Sequence, residues 1–334
     1  MDNELTYGDI RAIASGFRAS RILLSAYELG VFTALGDTEK TAEEVSELIG
    51  TDARATDRLM NALCTTGLLS KNGDRFLNRE AAGSFLVRGK PGYLAGLGHY
   101  VNLWDRWSTL SEAVRTGTVV GSGPVGDRGE EWLRSFIGAM HDRGTLQAPS
   151  SIAAVDLEGV SRVLDVGGGP GDFAMAFVRA SDSITATVFD LPQVVPLTRE
   201  YIEQAGLSDR IDTRAGDFLT DDLGSGYDLI FLSAIVHSLS PDECRFLIRK
   251  CTDALEPQGR FVLQDWVMSE DRTEPAEGAL FAINMLVNTR AGDSYTEAEL
   301  HSWLGEAGLV DIATNKTPSG SAQVTGRKRS GDQS

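Results

Sequence analysis

The run Asp165-Val166-Gly167-Gly168-Gly169-Pro170-Gly171-Asp172-Phe173 constrains this chain most; it follows the β-rich stretch Arg162–Val166 and precedes a helical pattern. Glycines this dense let a backbone turn sharply and approach a ligand, and the helix that follows aims its unpaired N–H groups at the same place. Around it, short β-rich runs alternate with helical stretches: Thr185–Asp190, Ile211–Ala215, Tyr227–Leu232 and Gly259–Asp265. That alternation predicts an α/β fold with a doubly wound parallel sheet, whose ligands bind past the carboxyl ends of the strands. Asp190 closes the second strand about 20 residues after the turn, where an acid can take a pair of ribose hydroxyls.

A glycine turn with a distal Asp is also found in dinucleotide enzymes, so the details decide. Here the spacing is Gly167-x-Gly169-x-Gly171, and Asp172 stands where the dinucleotide fingerprint ends in glycine. Asp165 and Asp172 flank the turn. Two carboxylates repel a pyrophosphate but suit a nucleoside carrying positive charge, as S-adenosylmethionine does on its ammonium and sulfonium. An NADH-binding oxidoreductase is the competing reading of the same turn.

Upstream, apolar residues from Ile13 to Gly36 recur at helical spacing on a segment too apolar to face water alone. Thr41 stands three residues before Glu44, a capping-box pattern, and opens a helix that Gly50 ends. A second helix runs from Asp52 to Gly67, and Asn72-Gly73 is a turn between two short strands. Helix, helix, hairpin is the order of a winged helix. Such elements enter DNA in some regulators, but that requires a basic face. The chain has 31 Lys+Arg against 48 Asp+Glu, a formal charge of −17, and its second helix balances Arg54 and Arg58 with Asp52 and Asp57. A dimerising element is therefore favoured over a DNA-binding one, and nucleic acid is not expected as a partner.

The division expected is a winged-helix dimerisation domain over residues 1–93, a helical connector over 94–150, a cofactor-binding catalytic domain over 151–325 and a disordered tail over 326–334. The last strand is placed at Ser321–Thr325, before a stretch rich in Lys, Arg, Ser and Gly. The start of the chain is acidic, no apolar run reaches the roughly 20 residues that span a bilayer, and three cysteines make no disulfide framework. These features predict a cytoplasmic protein without a membrane partner, and no acidic cluster with metal-ligand spacing is identified.

The ordered set VLDVGGGPGDF, VFDLP, AGDF, LSAIVHSLSPDEC, LEPQGRFVLQD and NMLVNTRAGDSYTEAEL resembles the S-adenosylmethionine-dependent small-molecule O-methyltransferases of caffeate, acetylserotonin and polyketide-tailoring type. The resemblance covers nearly the whole chain and implies a class I methyltransferase sheet with an N-terminal winged-helix dimerisation domain, hence a homodimer. It implies that Asp165, Gly167, Gly169 and Gly171 line the cofactor, with Asp190 and Leu191 at the ribose and Asp217 with Phe218 at the adenine. Ser233 falls where relatives contact the cofactor after the fourth strand. S-adenosylhomocysteine is the implied product.

His237 follows that strand, directly ahead of Ser240, which with Pro241 and Glu243 reads as a capped helix start. The resemblance makes His237 the general base and Asp265 its orienting carboxylate. An unperturbed imidazole near 6.5 takes a proton from a phenol near 10 only as the oxygen attacks, which suits an SN2 methyl transfer. For the acceptor, Asn284 and Met285 match a clamping segment, and Phe136, Met140 and His141 come from the connecting helix; a flat aromatic hydroxyl compound is expected. Three positions depart from the family: Ser238 and Leu239 replace Asp-Trp after the His, and Ser294 stands where a second acid is common, with Asp293 beside it. These leave C-methylation, or a relative that binds the cofactor without methylating, as alternatives.

Overall fold

The computed structural model describes residues 4–121, 129–318 and 320–330. Two compact units divide the chain at residues 103 and 104.

The first unit contains α1 (Tyr7–Ser15), α2 (Phe17–Leu29), α3 (Val31–Leu35), β1 (Lys40–Thr41), α4 (Ala42–Ile49), α5 (Ala53–Thr65), β2 (Leu69–Asn72), β3 (Arg75–Asn78) and α6 (Glu80–Phe85). The apolar run from Ile13 to Gly36 is helical as its spacing predicts, and spans the end of α1, all of α2 and all of α3. Gly30 breaks it at φ +81, a left-handed conformation that glycine adopts without a Cβ clash. Its inward residues Ala26, Val31, Phe32 and Leu35 pack with Val45, Met60, Leu63 and Phe76 into one buried core. The expected caps form: Glu44 N–H donates to Thr41 Oγ1 at 3.2 Å while Thr41 N–H donates to Glu44 Oε2 at 2.7 Å, and Asp52 caps α5 through Ala55 N–H. The hairpin closes with Asn72 opposite Arg75, and β1 joins its far edge in the order β1-β3-β2.

After α7 (Leu97–Trp107) come α8 (Leu110–Thr116), α9 (Glu130–Ala153), β4 (Arg162–Val166), α10 (Asp172–Ala180), β5 (Thr185–Asp190), α11 (Val195–Gln204), β6 (Ile211–Ala215) and β7 (Tyr227–Ser233). Then follow α12 (Pro241–Ala254), β8 (Leu255–Asp265), α13 (Ala276–Asn288), α14 (Glu297–Glu306), β9 (Leu309–Lys316) and β10 (Ala322–Lys328). The sheet order is β6-β5-β4-β7-β8-β10-β9; β10 runs antiparallel to both its neighbours, β8 and β9, and the other six strands share one direction. Buried side chains form a cluster on each face, one around Phe177, Val188 and Phe231 with α10, the other around Leu247, Phe261 and Trp303 with α12 and α14. Shortening such a residue costs about 2–5 kcal/mol, so both faces hold the strands in register.

Strand order reverses at β4: β5 and β6 lie on one side of it, β7 and β8 on the other. A crevice opens there beyond the carboxyl ends, where α/β sheets bind ligands. Two expectations change. The stretch read as a separate connector is not set apart from the sheet, since α9 lies along α10 with Gly144 so close to Asp172 that a Cβ would sit 2.5 Å from its Oδ2. The last strand continues through Gly326 and Arg327 to Lys328, three residues into the presumed tail. Gly326 pairs with Phe261 and Arg327 with Arg260, and Lys328 Nζ donates to the carbonyls of Asp253 and Leu255, so a basic, glycine-containing sequence is held as strand by ladder partners. Residues 331–334 lie outside the described residues. No helix among the described residues is long and apolar enough to cross a membrane.

Candidate active site

The glycine turn leaves β4 at Gly167 (φ +67), passes Gly169 (φ +55) and enters α10 at Gly171 (φ +85). A side chain at Gly167 would strike Ile235, and one at Gly168 would strike Asp165, so the turn is packed from below. At Gly169 a Cβ would meet nothing within 4 Å, which leaves the turn open to a ligand from above. Asp190 at the end of β5 accepts Gly169 N–H at 2.7 Å and Leu191 N–H at 2.7 Å, tying the turn to the neighbouring strand. Burial pushes its carboxyl up to about 6, against those two N–H bonds, which favour the charged form. Phe218 reaches the same place from the loop after β6: its ring stands 3.8 Å from where a Gly167 Cβ would be. Asp217 beside it accepts Leu219 N–H. Ser233 ends β7 next to Gly167, one step past the pair Val166 and Leu232. The turn, Asp190, Phe218 and Ser233 thus form one crevice, with an open cradle over Gly169 that fits a nucleoside cofactor.

The two flanking acids are held by the protein's own groups. Asp165 is 1% exposed and sits under the turn, accepting Ala174 N–H at 3.3 Å, and burial pushes its carboxyl up to about 7. Asp172 faces away from the turn's mouth, toward α9, where His141 Nδ1 lies 3.0 Å from its Oδ1 and Thr145 Oγ1 donates to it at 3.3 Å. The His141 ring also packs on Tyr201, 4.1 Å between centroids, and its hydrogen bond to Asp172 holds its pKa above the usual value. The two line a cavity of about 470 Å³ between α9, α10 and α11. Phe136 stacks on Trp132 and joins Leu191, Val194 and Leu197, which sets it beside the ribose end of the crevice. Met140, one turn further along α9, is partly buried.

His237 lies in a short 3₁₀ turn, Val236–Ser238, between β7 and α12. Ser240 caps α12 as its spacing predicts, donated to by Glu243 N–H, with Pro241 at the first helical position. His237 Nδ1 stands 2.9 Å from both oxygens of Asp265, whose Oδ1 also accepts Trp266 N–H at 2.8 Å. Two carboxylate oxygens at that distance place the proton on Nδ1 and leave Nε2 with a free lone pair. The side chains are 13% and 4% exposed, so the pair is shielded but reachable on the imidazole side. Of the departures from the family pattern, Ser294 is buried with its Oγ donating to Gly278 O, and Asp293 turns outward to Arg272. Neither supplies a second acid, and Asp265 is the only carboxylate bonded to the His237 ring among the described residues.

Helix α13 faces this pair. Phe281 sets its ring edge-on to His237, 4.7 Å between centroids, and Asn284 follows one turn later. Trp107 Nε1 donates to Asn284 Oδ1 at 3.0 Å, as does Asn288 Nδ2 at 3.1 Å. Met285 is 6% exposed, which makes it an interior side chain of α13. Gly292 touches the carbonyl of His237, where any side chain would collide. Phe281, Trp107 and Gly292 are not among the residues that the sequence singles out. Only Phe281 has a visible clue, its three-residue spacing from Asn284.

A carboxylate-held histidine beside a nucleoside crevice, on a doubly wound sheet, defines a group-transfer enzyme of the Rossmann-like kind. Residues 107–310 match the family model of an O-methyltransferase domain, and residues 12–89 that of an O-methyltransferase dimerisation domain. Over 327 residues the chain is 36% identical to 3-hydroxy-5-methyl-1-naphthoate 3-O-methyltransferase of Streptomyces sahachiroi, covering 95% of this chain and 94% of the relative. It is 33% identical to the tetracenomycin polyketide synthesis 8-O-methyl transferase TcmO of Streptomyces glaucescens, covering 96% of each. The solved structure of PigF with SAH superposes with a TM-score of 0.88 at 26% identity, over 97% of this chain and 100% of that one. The chain belongs to the S-adenosylmethionine-dependent O-methyltransferases of secondary metabolism.

Proposed function

We propose that this enzyme methylates a hydroxyl of a flat aromatic or polyketide-type acceptor, with His237 as general base and Asp265 as its orienting partner. The observation that carries the reading is the double 2.9 Å contact between His237 Nδ1 and Asp265, at the carboxyl ends of β7 and β8. Gly167, Gly169 and Gly171 would hold S-adenosylmethionine, with Asp190 and Leu191 at the ribose and Asp217 and Phe218 at the adenine, and the bound cofactor would supply a methyl on a sulfonium. His237 Nε2 takes the hydroxyl proton as the oxygen attacks, and Asp265 stabilises the imidazolium that forms. Asn284 and Phe281 bound the acceptor side, and Phe136 and Met140 extend the wall along α9. The aromatic acceptor is supported by the ring-rich surroundings of His237 and by the names of the two Streptomyces relatives.

A homodimer is supported by the matched dimerisation model and by α1, which buries none of its residues while exposing Tyr7, Ile10 and Ile13. Unpaired Cys64, Cys244 and Cys251 suit the cytoplasm. Transfer of labelled methyl to a panel of phenols and hydroxylated polyketides tests the reading. Label that moves in the wild type and drops about a hundredfold or more in His237→Ala supports it, in line with the contribution of a general base; equal rates remove His237 from the chemistry.

A further inference from the structure

The cavity beside His141 is bounded by one stripe of side chains from each of three helices. On α10 the residues Asp172, Met175, Ala176 and Arg179 recur at three- and four-residue spacing, which puts them on one face of the helix, and that face looks into the cavity. Helix α9 brings His141 and Ala148 to it, and α11 brings Tyr201 and Ala205. Helices that meet over a sheet interlock through side chains large enough to close the space between them. Here all three present alanine instead, and about 470 Å³ stays unfilled by the chain itself.

The space is polar at two ends and apolar between them. Asp172 and Arg179 are seven residues apart, a rise of about 10 Å along a helix. At the near end the Asp172 carboxylate is already engaged by α9, through His141 Nδ1 and Thr145 Oγ1. Left over are His141 Nε2 and the Tyr201 hydroxyl there, and the Arg179 guanidinium at the far end. None of the three has a hydrogen-bond or ion-pair partner among the described residues. Burial, and then the carboxylates of Asp142, Asp172 and Glu200, hold the Tyr201 hydroxyl above its usual pKa, so the near end repels an anion. A ligand hydroxyl suits it, because a hydroxyl both donates and accepts and meets the His141 ring in either charge state. The far end has the opposite sign. Arg179 is exposed, and its planar fork matches a carboxylate. Between the ends, the Met175 thioether and the alanine walls accept a flat ring.

We propose that this cavity is a second small-molecule site, separate from the crevice, and that it takes a flat hydroxyaryl acid with its carboxylate at Arg179 and its hydroxyl at His141 and Tyr201. Asp172 divides the two places. It opens α10 directly after Gly171 but turns its carboxylate to α9, away from the glycine turn, so a ligand in the cavity does not compete with one over Gly169.

Calorimetric titration of the full chain with 6-hydroxy-2-naphthoate, in the presence of saturating S-adenosylhomocysteine, tests this, because the probe carries its hydroxyl and carboxylate at opposite ends of a flat bicycle. The wild type is expected to bind it saturably. Arg179→Gln should weaken that binding about tenfold, the effect of losing a hydrogen bond to a charged group. Ala176→Leu, whose added carbons stand in the cavity, should abolish it, and Phe281→Ala, on the acceptor side of His237, should leave it unchanged. In the wild type 2-naphthol, which lacks the carboxylate, is expected to bind about tenfold more weakly than the probe. Unaltered S-adenosylhomocysteine affinity in Arg179→Gln and Ala176→Leu shows that both variants are folded. A wild type that does not bind the probe, an unchanged probe affinity in either Arg179→Gln or Ala176→Leu, or equal affinities for the probe and 2-naphthol overturns the proposal. Binding lost in Phe281→Ala overturns it too, by putting the probe in the crevice.

Discussion

The catalytic unit contains two histidine–aspartate pairs of nearly the same local geometry. His237 and Asp265 meet at 2.9 Å, His141 and Asp172 at 3.0 Å, and in each the carboxylate is almost fully buried. They differ in address. The first stands at the carboxyl ends of two parallel strands, with an aromatic edge on its imidazole and a helix facing it. The second joins the flanks of α9 and α10, with Tyr201 packed on the ring, and its side chain is 32% exposed against 13%. The lesson is that a carboxylate orients a histidine anywhere, while chemistry needs a lone pair aimed at a place where a substrate and a cofactor meet.

Substitutions break this comparison most sharply at the rings. His237→Ala is expected to lower turnover about a hundredfold or more while S-adenosylhomocysteine affinity stays within about twofold; His141→Ala keeps turnover within about threefold. Methyl-transfer rates and calorimetry on both variants decide it, and a large loss in His141→Ala erases the distinction. Next come the carboxylates. Asp265→Asn should cost about 10- to 100-fold in turnover, because an amide can accept or donate and no longer enforces the Nδ1–H tautomer. Asp172→Asn should instead appear in urea unfolding, as a loss of about 1–3 kcal/mol from unsatisfied groups on α9.

Gly292→Ala is expected to reduce turnover about tenfold, since the added methyl must displace the carbonyl of His237 and misplace the base. Circular dichroism should show an intact fold, and a rate equal to wild type would mean that the loop gives way instead. The smallest effect is in pH. His141 has its pKa raised by Asp172, so the stability it adds is present below its unfolded value near 6.5 and fades as pH rises through the folded value. The urea midpoints of wild type and His141→Ala should therefore differ more at about pH 5.5 than at about pH 8.5; an opposite trend shows that the ring is neutral in the folded protein.

Much of the scaffold was legible because its cues are local. The strands at Arg162, Thr185 and Ile211, the caps at Thr41 and Ser240, and the turn from Gly167 to Gly171 are each specified by residues within a few positions of one another. Side-chain direction was not. Asp172 opens a helix, and nothing nearby says whether its carboxylate turns to the glycine loop or to a helix 31 residues earlier. The link from Trp107 to Asn284 spans 177 residues, and the Gln323–Gln264 pair 59, so only the assembled sheet brings them together. The strand end at Gly326 to Lys328 was hidden for a related reason: its composition suits solvent, and its order comes from partners on β8 and β9.

Gly292 carries a last consequence. A loop pressed against the main chain of the base has no room to vary, whereas α13 presents Phe281 and Asn284 from a regular helix whose backbone does not depend on them. Redesign of this enzyme for new acceptors thus has two unequal territories. The helix can be rewritten one side chain at a time, each change read as selectivity, while the loop tolerates almost nothing and any change there is read as rate on every acceptor alike.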